Sequence, residues 1–64
     1  MTQKELLYFE DAIGHETSII NILSESINML QDERLAKYLE KDLKEHEEIK
    51  KKLLHKLEGE TNEW

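Results

Sequence analysis

The sequence predicts an all-α protein, a helical hairpin that pairs with a second copy of itself to form an antiparallel four-helix bundle as a homodimer. Three observations carry this reading. Apolar residues recur at helical spacing along two runs, separated by one polar break at Gln31-Asp32-Glu33. Leucine, isoleucine, glutamate and lysine dominate and proline is absent, which is the composition of long helices. The apolar arc of the first run is wider than a two-stranded seam needs, so that helix has room for two neighbours.

The elements follow in order. The 64 residues make one domain. Thr2-Gln3-Lys4-Glu5 has the form of a capping box, which starts the first helix at Gln3. Over about residues 3–30, Leu6, Phe9, Ile13, Ile20, Leu23, Ile27 and Leu30 occupy the a and d positions of a heptad, with Glu16 in the missing d place. Tyr8, Ala12, Ile19, Ile22 and Met29 form a second row beside the first. The turn falls at about residues 31–32, with Asp32 as N-cap and Glu33 placing negative charge where the helix dipole favours it. The second helix, at about 33–58, carries Leu35, Leu39, Leu43, Ile49, Leu53 and Leu57 on one face. Gly59 reads as its stop, with His55 and Lys56 in the last turn and a frayed tail over about residues 59–64 that ends in an exposed Trp64. Each arm is roughly 40 Å long. A lone hairpin leaves much of the first helix's arc in water, and a two-fold axis covers it. A chain this short needs such a staple, and without cysteine it has no disulfide to supply one.

Charge narrows the function. A net charge of −6 repels phosphate backbones and anionic membranes. Lys50-Lys51-Lys52 is the clearest basic run, but Glu45, Glu47 and Glu48 precede it, so it reads as a solvated helix face. No apolar stretch approaches the ~20 residues of a membrane span, and the polar start MTQKE is not a signal peptide. The expectation is a soluble, cytoplasmic protein with no nucleic-acid or membrane partner. No nucleophile elbow, phosphate loop, HExxH or EF-hand pattern occurs. Ser18, Ser24 and Ser26 have no matching base and read as helix-surface residues, so no catalytic residue is assigned.

The polar residues inside the apolar arcs are the candidate site. Glu16 lies within about 20° of the centre of the first helix's arc at 100° per residue. His46 lies nearest the centre of the second helix's arc, between Leu43 and Ile49, and Asp42 is one turn earlier. Glu16 and His46 stand nearly equidistant from the turn and therefore at one height in the hairpin. Three readings are open. Glu16, His46 and Asp42 are metal ligands for zinc, iron or manganese. Or Glu16 and His46 hydrogen-bond each other within the core, with Asp42 or Lys50 joining them. Or the hairpins pack in another register and one of these groups reaches water. Gly14 costs about 1 kcal/mol in a helix interior, which a close helix approach or a local bulge would explain. His15 falls at the edge of the arc, as a boundary residue or an outer ligand.

The stretches ELLYFEDAIGHE (5–16) and LQDERLAKYLEKDLKEHEEI (30–49) resemble the small ferritin-like proteins of spore-forming Firmicutes that are related to the spore coat F family. The resemblance implies a half-ferritin hairpin that dimerises, an association with spore or coat assembly, and an inherited metal site with Glu16 and His46 at ligand positions. Leu43 stands where the family's Glu-x-x-His would place a glutamate, so the implied site is mononuclear or vestigial. The length and hairpin plan are also similar to the plasmid-encoded repressor of primer, a dimeric RNA binder. That family's first helix presents a basic and aromatic face, whereas here Lys4 is the only Lys or Arg before the turn. The leading expectation is a non-enzymatic, spore-associated assembly protein whose partners are itself and coat or other assembly proteins. The alternative is a ferritin-like metal-binding dimer, and the third reading is an RNA-binding hairpin dimer.

Overall fold

The computed structural model describes the backbone of residues 1–62 and the side chains of residues 1–59. Two helices fill it: α1, Gln3–Met29, and α2, Glu33–Asn62. They pack against each other as an antiparallel hairpin.

Local hydrogen bonds set the starts of both helices. At the first, the Glu5 N–H donates to the Thr2 hydroxyl at 3.1 Å and the Thr2 N–H donates to the Glu5 carboxylate at 2.9 Å, which completes the capping box. The bond from the Thr2 backbone N–H, and after it the Thr2 side chain, holds the Glu5 carboxyl below its ordinary value. A lowered folded-state value means that the box stabilises α1 fully above the ordinary carboxylate range. That contribution is lost as pH falls through Glu5's own value. We expect helicity followed by circular dichroism to show this acid-side step, and Glu5→Gln to abolish it.

At the second helix, the N–H groups of Arg34 and Leu35 donate to the Asp32 carboxylate at 2.9 and 3.2 Å. Leu30 ends α1 in an extended conformation (φ −80°, ψ 135°), and its N–H still donates to the carbonyls of Ser26 and Ile27. Gln31 and Asp32 then complete a three-residue link, short enough to force antiparallel neighbours.

The far end of α2 departs from expectation. Gly59 does not stop the helix, which continues to Asn62, so His55 and Lys56 are not in its last turn. No glycine adopts positive φ, so Gly59 forms no left-handed cap. A glycine inside a helix costs about 1 kcal/mol but does not break it. Trp64 lies outside the described residues.

The seam between the helices uses the expected α1 positions, including Leu6, Phe9, Ile13, Glu16, Ile20, Leu23 and Ile27, all half-buried. On α2 it uses Ala36, Leu39, Leu43, His46, Lys50, Leu53 and Leu57. Leu35 and Ile49, expected inside, are exposed. Each precedes a seam residue by one position, which turns it about 100° away from α1. Ser24 and Ser26, expected on the surface, are half-buried.

Gly14 serves neither close packing nor a bulge within this chain. α1 is continuous through it, and a Cβ built there meets nothing within 4 Å. The hydroxyls of Thr17 and Ser18 donate to the carbonyls of Ile13 and Gly14 at 2.8 and 3.2 Å, one turn back along the helix. Gly14→Ala is therefore expected to stabilise the fold by about 0.5–1 kcal/mol in denaturant unfolding. A destabilised variant would mean that another helix approaches at this point.

Candidate functional site

Halfway along the hairpin the two polar seam residues meet. His46 Nδ1 lies 2.5 Å from Glu16 Oε2, across 30 residues of sequence. Their equal distance from the turn brings them level, and their places in the two apolar arcs turn them towards each other. With a carboxylate as acceptor, the ring proton sits on Nδ1, and in the neutral ring Nε2 is left as the acceptor. The side chains keep 26% (His46) and 15% (Glu16) of their surface in contact with solvent, so the pair sits at the edge of the seam with water beside it.

The other polar candidates stay apart from this bond. Asp42 is half-buried one turn before His46, and Lys50 is half-buried one turn after it. Neither takes part in the Glu16–His46 bond. Among the described residues no group of three or more His, Asp or Glu side chains could hold a metal ion. Glu16 and His46 of one chain are thus two ligating residues, fewer than the three or four of a zinc centre. His15 is exposed. A carboxylate–imidazole pair is also two-thirds of a hydrolytic triad. The hydroxyls of Thr17 and Ser18, the next two residues along α1, donate instead to helix carbonyls.

The second feature of the site is what the hairpin leaves uncovered. No described residue is buried, because even seam side chains retain some exposure. Six large apolar side chains stand in water on one flank of the hairpin: Tyr8, Ile22 and Met29 from α1, and Leu35, Tyr38 and Ile49 from α2. Each immediately precedes a seam residue. Because the helices run in opposite directions and face each other, the residue before a seam position falls on the same side of the hairpin in both. Ile22 is 62% exposed, Met29 82%, Leu35 54% and Tyr38 72%, and these four cluster in the half of the flank nearest the turn. Towards the open end, a shallow groove lined by Tyr8, Phe9, Ala12 and Leu53 brings seam residues into contact with the same flank.

The opposite flank differs in kind. Its α1 row is Leu7, Gly14, Asn21 and Asn28, and its α2 row is Lys37, Lys44, Lys51 and Glu58. Leu7 and Leu54 are its exposed large apolar residues, both near the open end. Sequence reasoning finds the α1 half of the apolar flank as a second row beside the first. It misses the α2 half because Leu35 and Ile49 are assigned to the seam and Tyr38 to neither row. The missed signal is positional: each of the three stands one residue ahead of a seam position, the rule that the α1 row already follows. No helix among the described residues is long and apolar enough to cross a membrane.

No protein-family model, curated protein or solved structure matches this chain.

Proposed function

We propose that this protein is a non-enzymatic assembly module whose hairpins pair through the apolar flank to form a homodimeric four-helix bundle. One observation carries the proposal: among the described residues the hairpin buries none completely, while six exposed large apolar side chains share one flank. Contiguous exposed apolar surface on a small domain marks an interaction site. A core this thin also leaves a single short chain with little stability of its own. Pairing of like flanks addresses both at once, since a two-fold interface presents the same patch twice. In the dimer the Glu16–His46 bond lies between the seam and the new interface. There it acts as a polar layer that fixes register at some cost in stability. A metal centre at this layer needs donors from both chains, which ranks it behind the assembly reading. A place in a spore coat or a similar layered structure is compatible with such a module and rests on the sequence resemblance alone.

Sedimentation velocity tests the proposal. The expected species has twice the chain mass of 7.7 kDa, with a melting temperature that rises with protein concentration. A folded monomer at every concentration would sink it.

A further inference from the structure

We infer that the two hairpins pair with their turns at the same end of the bundle, α1 of each lying against α2 of its partner. This rests on the homodimer reading above and decides between the two ways in which a two-fold axis can bring the apolar flanks together. If the axis crosses the bundle, the turns lie at opposite ends, α1 lies on α1 and α2 lies on α2. If it runs along the bundle, the turns lie together and residues equidistant from the turn meet across the interface.

The flank is graded along its length, and the gradient makes the choice. Its apolar half is next to the turn, where Ile22, Met29, Leu35 and Tyr38 are exposed. Its α2 half then becomes charged, with Asp42 and Glu45 at mid-height and Lys52 beyond them. An axis across the bundle sets Leu35 and Tyr38 against the partner's lysine-bearing end and brings Glu45 near its own copy. It also lays one Glu16 carboxylate over the other. Like charges facing each other across an interface are unfavourable, and apolar groups opposite ammonium groups gain little.

With the axis along the bundle, Met29 is level with the partner's Leu35 and Ile22 with its Tyr38. Exposed His15 comes level with the partner's Glu45, a hydrogen-bonding pair in place of a repulsive one. Ala12 comes level with the partner's Ile49, so a small residue faces a large one beside the shallow groove of Tyr8, Phe9 and Leu53. At the central layer each Glu16 lies over the partner's His46, giving a ring of alternating carboxylate and imidazole. Asp42 faces an isoleucine in both arrangements and so does not discriminate between them. All neighbouring helices are antiparallel in either case.

The chain has no cysteine, so a single Gln31→Cys substitution in the exposed link gives one nitroxide label per protomer. Double electron–electron resonance on this labelled protein reads the distance between the two turns, and sedimentation of the same sample gives its mass. The expected result is a dimer with the labels within about 30 Å, since packed helices lie about 10 Å apart and the label tethers add the rest. A dimer with labels about 40 Å or more apart, a full helix length, overturns the orientation and leaves the homodimer reading intact. A monomeric mass with no dipolar coupling overturns both.

Discussion

Ile22→Glu and Tyr38→Glu, each alone, are expected to convert the dimer into a monomer at concentrations where the parent chain is fully paired. Ile22 is 62% exposed and Tyr38 72% exposed in the single hairpin, so neither contributes much to the seam. Burial of a large apolar side chain is worth about 1.5–3 kcal/mol, and these residues have more than half of that still to gain. A two-fold interface counts each change twice. The loss is therefore roughly 2–4 kcal/mol per substitution, about 30- to 1,000-fold in dissociation constant before any cost of burying the new carboxylate. The matched control is Asn21→Glu, one residue from Ile22 and on the opposite flank, which should leave the dimer intact. Sedimentation of the three variants in one buffer separates a loss specific to this flank from a general effect of added charge. Equal weakening by all three would remove the apolar flank from the assembly.

The second large effect concerns the pair at mid-height. Glu16→Ala leaves the His46 Nδ1–H without its carboxylate, and His46→Ala leaves the carboxylate without its donor. A hydrogen bond to a charged group contributes about 1.5–3 kcal/mol, and loss of one partner adds the desolvation cost of the group left behind. Each single variant is expected to lower stability by about 1–3 kcal/mol in denaturant unfolding, the lower end reflecting the solvent that reaches both side chains. Glu16→Leu with His46→Leu behaves differently. Replacing both polar partners by apolar groups of suitable volume is often neutral or stabilising. The double variant should therefore match or exceed the parent in stability while losing the polar layer that we propose fixes the register of the bundle. Additive losses in Glu16→Ala with His46→Ala, set beside the two single alanine variants, would show that the two residues act independently, against the geometry of the bond.

Much of the fold is legible in the residues because its signals are local. Thr2 and Glu5, three positions apart, form a capping box wherever a helix begins there, and Asp32 caps the next helix by the same short-range chemistry. The level placement of Glu16 and His46 is legible too, since a constant rise per residue turns equal distances from the turn into equal heights. Gly59 misleads because its flexibility permits a helix stop without requiring one, and its backbone stays out of the left-handed region. Leu35 and Ile49 mislead for another reason. Apolar residues on α2 occupy both the seam and the flank, and counting them does not say which set faces α1.

The sequence by itself determined two helices, their starts, the link between them and the height at which a carboxylate and an imidazole lie. Each of these depends on hydrogen bonds a few residues apart or on the fixed geometry of one helix. Only the tertiary structure decided how far α2 is rotated about its own axis. That rotation gives Glu16 the His46 ring as its partner, leaves Asp42 and Lys50 beside the pair, and turns Leu35, Tyr38 and Ile49 out onto the flank with Ile22 and Met29. Rotation is a collective property, because turning one seam residue inward turns every other residue of the rigid helix with it. No single position encodes it, and it is settled by the packing of both faces at once.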